Sequence, residues 1–179
     1  MTQTLPAPRV RVCDDSDLAA LRARWPIPGD VHGSHHAEQR QSMATYLVAW
    51  QDDEPLGSAL VQWRGPVGPN ARAAFSRSVE VNHLQVRQGW RGRGIGTSLL
   101  AAAERLMAER GSAASAVSVE VGNHDAARLY HRLGYTATGV LDVCAYEWTD
   151  EQGEAHHEVE TSEFLLKTLS SAAPASDDS

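Results

Sequence analysis

The sequence predicts a single α/β domain built on a mixed sheet. Three observations carry that prediction. Strand-like and helix-like runs alternate from Val79 to Thr138, and a helical crossover is what joins neighbouring parallel strands. Hairpin-like pairs of apolar runs lie on either side of that stretch, and hairpins are antiparallel. The chain has 179 residues, enough for one hydrophobic core and somewhat long for a minimal one.

Each element has its own signal. Residues 1–8 read as a flexible leader and residues 9–169 as the domain. Val10–Val12 is a short strand. Asp14–Arg24 reads as a helix with Asp14 or Asp15 as cap and Leu18 and Leu21 on one face. Trp25–Gly33, with two prolines and two glycines, is a loop, and His35–Met43 a second short helix. Thr45–Trp50 and Leu56–Trp63 form a hairpin across the turn Asp52-Asp53-Glu54-Pro55. Gly65–Asn70 is again a loop. Val79–Val86 is a strand, followed by a glycine-rich turn and a helix to about Arg110 that Gly111 closes. Ala116–Val121 is a strand, Asn123 caps a helix to Leu133, and Gly134 ends it. Tyr135–Thr138 starts another strand. Val140–Trp148 and Glu158–Leu169 form a final pair around Gly153. Residues 170–179 have the composition of a disordered tail. No internal repeat is visible.

Composition excludes several classes. Sixteen basic against 23 acidic residues give a net charge of −7, which disfavours general nucleic-acid binding. An acidic balance suits a cationic partner such as an amine, although solubility explains it equally well. Two cysteines, Cys13 and Cys144, make no disulfide framework, and with no signal peptide a cytoplasmic protein with reduced thiols is expected. No apolar run approaches the roughly 20 residues of a membrane span, so no membrane partner is expected.

The most informative stretch is QGWRGRGIGTSLLAAAERL, Gln88–Leu106. A helix N-terminus presents unpaired N–H groups and a partial positive charge, and glycine lets a ligand approach them. A strand, a glycine turn and a helix in that order make a phosphate site, with Arg91 and Arg93 adding charge. A P-loop needs a lysine after its last glycine, but Gly96 is followed by Thr97-Ser98. A dinucleotide fold wants G-x-G-x-x-G after its first strand. Here Thr97 takes the third position, and about three strands come first. A helix entry turn without ligand is the remaining alternative, disfavoured because three glycines cost conformational entropy.

Read as R-x-x-G-x-G, Arg91, Gly94 and Gly96 resemble the Q/R-x-x-G-x-G/A signature of the GNAT superfamily of acyl-CoA N-acyltransferases. HLQVRQGWRGRGIGTSLL looks like that family's strand–turn–helix block, and VSVEVGNHDAARLYHRLGY like its next strand–helix unit, N-x-x-A-x-x-L-Y-x-x-L-G-Y. Together they cover about Val79–Tyr135; the rest matches only in its pattern of elements. The resemblance implies a mixed, mostly antiparallel central sheet flanked by helices. It also implies acetyl-CoA as co-substrate, direct attack by a primary amine in a ternary complex, and no metal. The acceptor stays open among small-molecule amines, which are favoured, and protein amines. A monomer or homodimer is expected.

Carried over residue by residue, the resemblance gives the backbone of Leu84, Gln85 and Val86 to pantetheine as an added strand. The N–H groups of Arg91, Gly92, Arg93, Gly94, Ile95, Gly96 and Thr97 go to the pyrophosphate. Asn123 stands near the pantetheine or simply caps its helix. Tyr130 can protonate or hydrogen-bond the departing thiolate, or pack on Ala126, Leu129 and Leu133. Glu80 matches a position where some members carry the general base, with a pKa raised by burial; its bland role is to order a strand edge. His83 is the competing base. An uninterrupted strand points it away from Glu80, whereas a bulge reverses that parity. A non-catalytic acyl-CoA sensor is the alternative function.

Other features have plainer readings. His35-His36 and His156-His157 lack metal-site spacing and are expected on the surface. Most of Trp25, Trp50, Trp63, Trp90 and Trp148 should anchor core or loops, with Trp25 and His32 as weak acceptor-site candidates. Asp142, Glu147, Asp150, Glu151, Glu154, Glu158, Glu160 and Glu163 read as solvated strand faces, or in part as recruiters of a cationic amine.

Overall fold

A computed structural model describes residues 7–149 and 153–169. Most of the expected leader, the expected tail, and Asp150 and Glu151 lie outside the described residues. Seven strands, β1 (Arg9–Val12), β2 (Ala44–Gln51), β3 (Glu54–Gln62), β4 (Val79–Val86), β5 (Ala114–Glu120), β6 (Thr136–Thr149) and β7 (Ala155–Thr168), form one sheet in the order β1-β2-β3-β4-β5-β7-β6. Only β4 and β5 run parallel; every other neighbour pair is antiparallel. The expected mixed, mostly antiparallel sheet is what the chain forms.

Five helices flank it: α1 (Asp15–Arg24), α2 (Val31–Arg40), α3 (Pro69–Ala74), α4 (Ile95–Glu109) and α5 (His124–Arg132). The sequence signals explain α1. Asp14 Oδ1 accepts the Asp17 amide at 2.8 Å, and Asp17 returns the bond to the Asp14 amide, a reciprocal capping box. Asp17 is buried but paired with Arg11, which supplies the compensation a buried carboxylate needs. In α4, Ile95, Leu99, Ala103 and Met107 recur every four residues and are buried, giving the helix one apolar face. They pack with Leu47, Val61, Val81 and Val117 into the main core. A smaller core on the opposite face of the sheet gathers Tyr46, Val48, Trp50 and Leu60 against Leu21 of α1.

Three expectations need correction. The loop expected at Gly65–Asn70 gives way to helix α3, which begins at Pro69. Proline is favoured in a first turn, and Asp142 of β6 accepts the Asn70 and Ala71 amides, so a residue remote in sequence completes the cap. The second helix starts at Val31, not His35. Lastly, His35 and His36 are not surface residues; both are buried.

The reason is the packing of α2 on β2. His32 donates from Nε2 to the Trp25 carbonyl at 2.7 Å and accepts the Tyr46 hydroxyl on Nδ1 at 2.6 Å. The His35 ring lies 5.2 Å from the Tyr46 ring. Neither ring nitrogen of His35 has a hydrogen-bond partner among the described residues. Burial, with His83 nearby, pulls His35 from 6.5 down to about 4. A base with a lowered folded pKa contributes stability above pH 6.5 that is lost as pH falls from 6.5 to about 4. That gap corresponds to an upper bound of about 3 kcal/mol. Thermal unfolding should therefore show Tm dropping more steeply between pH 7 and pH 4.5 in the wild type than in His35→Phe. Equal slopes would refute the assignment.

Candidate active site

The site begins where two strands part. β4 pairs with β3 along its length, as far as Gly57↔Val86. Its pairing with β5 covers only Val79↔Ser115, Glu80↔Ala116 and Val81↔Val117. Past Val81 the β5-facing edge of β4 is open, and an open edge carries unpaired N–H and C=O groups. A cleft of about 910 Å³ lies along it. A second cavity of about 240 Å³ opens beside it. The two share Leu84, Gln85, Asn123, Ala126 and Tyr130 in their walls.

A bulge sits at the parting. Between Leu60↔Asn82 and Ser58↔Gln85, β4 advances three residues while β3 advances two. The extra residue is His83, whose φ is +49°, in the left-handed region that ordinary side chains disfavour. Parity changes there. Val79 and Val81 pack in the main core before the bulge, Leu84 and Val86 after it. Of the two orientations considered for His83, the bulged one holds. Its ring packs against His35 of α2, tilted by 45° with centroids 4.6 Å apart, so it faces the α2 side of the sheet. Glu80 faces that side too, through Ser118 and the Val67 amide.

The glycine turn forms the far wall of the large cleft. Gly92 and Gly94 have φ of +73° and +78°, so both positions need glycine. Gly94 is the N-cap of α4, and its carbonyl receives the Ser98 amide. The amides of Ile95, Gly96 and Thr97 precede that first intrahelical bond and point outward. A Cβ on Gly96 would lie 3.2 Å from Leu129 Cδ2 of α5, so this glycine permits close approach of the two helices. Arg91 lines the cleft and donates from Nε to the Val86 carbonyl at 3.2 Å. Arg93 instead lies 4.9 Å over the Trp90 ring and is not part of the cleft wall. Arg87, Arg128 and Arg132 do line it.

Leu84, Gln85, Val86, Asn123 and Tyr130 all line the large cleft, as do Arg91, Gly92, Gly94, Ile95, Gly96 and Thr97. Asn123 has its capping role and also borders the cavities. Its Oδ1 caps α5 by accepting the Ala126 amide at 3.1 Å, and it lines both cavities. Tyr130 is 6 % exposed. Burial and the neighbouring charge of Glu80 push its phenol up to about 12, so it stays protonated at neutral pH.

Glu80 is 1 % exposed and lines neither cavity. Its Oε2 accepts the Val67 amide at 2.7 Å and its Oε1 accepts the Ser118 hydroxyl at 2.6 Å. Burial raises its pKa above the usual carboxylate value, partly offset by these two bonds. Ser118 is exposed and lines the small cavity. Nothing in the local sequence singles out this serine; only the pairing of β4 with β5 puts it beside Glu80. Arg128 and Arg132 carried a weak signal, four residues apart on α5.

The weaker candidates separate. Trp25 lines the large cleft, whereas His32 is consumed by its two structural bonds. Asp142 caps α3. Glu158 and Glu160 both accept from the Tyr146 hydroxyl on the exposed end of the hairpin. His156 and His157 are exposed as expected. Among the described residues no group of three or more potential ligands is arranged to hold a metal ion, and no helix is long and apolar enough to cross a membrane.

Comparison with known proteins identifies the family. The chain is 28% identical over 131 residues to the streptothricin acetyltransferase of Streptomyces lavendulae, a match spanning 73% of this chain and 64% of that relative. The fold superposes on a ribosomal-protein-alanine N-acetyltransferase from Brucella melitensis with a TM-score of 0.64 at 23% identity, covering 90% of this chain and 99% of that one. It also superposes on a phosphinothricin acetyltransferase from Sinorhizobium meliloti, solved with acetyl-CoA, with a TM-score of 0.64 at 16% identity, covering 92% and 89%. The model of the acetyltransferase (GNAT) family matches residues 13–135, more than half of the chain. With that match spanning the parted strands, the glycine turn and Tyr130, the chain belongs to the GNAT acetyltransferase family.

Proposed function

We propose that the protein transfers an acetyl group from acetyl-CoA to a primary amine, by direct attack in a ternary complex, and that the amine belongs to a small molecule. One observation carries this reading. Two cavities of unlike character meet at Tyr130. The large cleft is lined by four arginines, Arg87, Arg91, Arg128 and Arg132, against one carboxylate, Asp125, which pairs with Arg128. The small one has no arginine or lysine and includes Glu120. Polyphosphate fits the first and an ammonium group the second.

The residues present fit coenzyme A. The open edge of β4 at Leu84–Val86 can pair with an amide-bearing arm as an added strand. The outward amides of Ile95–Thr97 and the α4 dipole suit a pyrophosphate. Tyr130 borders both the cleft and the small cavity, which supports a thioester bound there beside the amine. There the amine nitrogen attacks the carbonyl carbon, the C–N bond forms and the C–S bond breaks. The ammonium proton must leave first, and Glu80 is the proton acceptor we assign. Tyr130, still protonated at neutral pH, donates to the departing thiolate. Two of the proteins that this chain resembles are named for streptothricin and phosphinothricin, which supports a small-molecule acceptor. The small cavity, about 240 Å³, suits one amine-bearing moiety.

Three substitutions test this. Gly94→Val forces a branched side chain to φ +78°, a strain of about 1–2 kcal/mol, and should weaken coenzyme A binding about tenfold or more by calorimetry; unchanged affinity would remove the turn from the site. Glu80→Gln should lower kcat by about 10²–10⁴ with coenzyme affinity intact. Because only the carboxylate accepts a proton, wild-type rate should rise with pH through the raised Glu80 pKa, and that limb should vanish in the variant. Its persistence would exclude Glu80. Tyr130→Phe should lower kcat by about tenfold or more where chemistry limits the rate, and full kcat would end the proton-donor role. Tight coenzyme binding with no turnover on any amine in a broad panel would favour a non-catalytic sensor.

A further inference from the structure

A base that no substrate can touch is incomplete. Glu80 is sealed at 1 % exposure, behind β4 and the loop that supplies the Val67 amide. The amine, on the reading above, sits in the small cavity. The two are joined by one group. Ser118 is exposed in the wall of that cavity, and its hydroxyl donates to Glu80 Oε1 at 2.6 Å.

We propose that Ser118 is the residue that receives the acceptor's proton, relaying it to Glu80. This rests on the acetyl-transfer reading. The direction of the observed bond suits the role. Because the hydroxyl hydrogen is committed to Glu80, the lone pairs of Oγ are left to accept from an ammonium N–H. In the relay, the proton on nitrogen passes to Ser118 Oγ as the Ser118 proton passes to Glu80 Oε1. The serine ends neutral, the carboxylate becomes a carboxylic acid, and the amine becomes the free nucleophile. The electron pair of the N–H bond stays on nitrogen and then forms the bond to the acyl carbon. No further reactant is needed.

The surroundings favour uptake at Glu80. The Val67 N–H fixes Oε2, leaving Oε1 to the serine. Asp142 of β6 opposes the carboxylate's charge, and Arg72 of α3 favours it more weakly. Tyr130 on α5 feels the Glu80 charge, so neutralising Glu80 makes Tyr130 a better donor for the departing thiolate. One relay thereby links the two proton movements of the reaction. His83, also on the small cavity wall, has no hydrogen-bonded route to Glu80 among the described residues.

The test compares Ser118→Ala with Ser118→Thr, which keeps the hydroxyl. Ser118→Ala should lower kcat about 10–100-fold, leave the dissociation constant of coenzyme A unchanged, and displace the pH–rate limb upward. Ser118→Thr should restore most of the rate. A parallel measurement needs no acceptor: carbon NMR of glutamate-labelled protein should show the Glu80 pKa rise in Ser118→Ala. If that pKa rises while kcat and the rate profile stay at wild type, the bond is structural and the relay is overturned. If Ser118→Thr fails to rescue a coenzyme-binding, folded protein, the relay is likewise overturned. Absence of turnover by the wild type on every amine, with coenzyme bound, defeats the acetyl-transfer reading itself, an outcome the NMR measurement separates from loss of the Ser118–Glu80 bond.

Discussion

The parting of β4 from β5 is the constraint on which the rest of the site depends. Three parallel pairs hold the strands together, and beyond Val81 and Val117 they separate. Buried backbone groups are almost always satisfied, so an open edge inside a sheet is stable only where a ligand or water reaches it. The neighbours keep it open. Towards β3 the strand stays paired to Val86, so β4 cannot follow β5. The bulge at His83 adds local twist, and its ring is braced on His35. On the far side β5 is held by seven consecutive pairs to β7. Each strand is thus committed to a different partner.

The same parting arranges the chemistry. Where the strands still touch, Glu80 is buried; one step further, Ser118 already faces a cavity. Desolvation raises the affinity of a carboxylate for a proton, but the burial that does so also removes it from the substrate. A neighbouring hydroxyl at the edge of the opening reconciles these demands on the proposed reading. Tyr130 meets a milder form of the same problem. It is almost buried yet borders both cavities, so its raised pKa and its access coexist.

How much of this the sequence disclosed follows from the range of the interactions. Local signals were read correctly: an aspartate cap for α1, placed at Asp14 or Asp15, the glycine turn before α4, the cap Asn123 and the alternation that makes the sheet mixed. These depend on neighbours within a few residues. What escaped depends on distant partners. Helix α3 needs Asp142 from β6. The burial of His35 and His36 follows from how α2 docks on β2, and two adjacent polar residues give no periodic signal of it. The orientation of His83 turned on one inserted residue, and a bulge shifts parity without changing composition. Ser118 is an ordinary strand serine until β5 is laid beside β4. Arg93, expected to add charge to the turn, spends its guanidinium on Trp90.

Charge shows most clearly why whole-chain properties stop short of the site. A net charge of −7 disfavours an anionic ligand if it is spread evenly. It is not felt evenly, because at physiological ionic strength charges more than about 8 Å apart are largely screened. The cleft wall gathers Arg91, Arg128 and Arg132 with one carboxylate, Asp125, beside the outward amides of α4, while carboxylates such as Glu158 and Glu160 stand on the distal hairpin. The adjoining small cavity is lined by Glu120 and Ser118, with Glu80 behind the serine. Opposite local fields can therefore coexist in one small domain even in two cavities that share part of a wall. Tyr130, neutral and shared by both walls, is where the proposed transfer would bring the two ligands together.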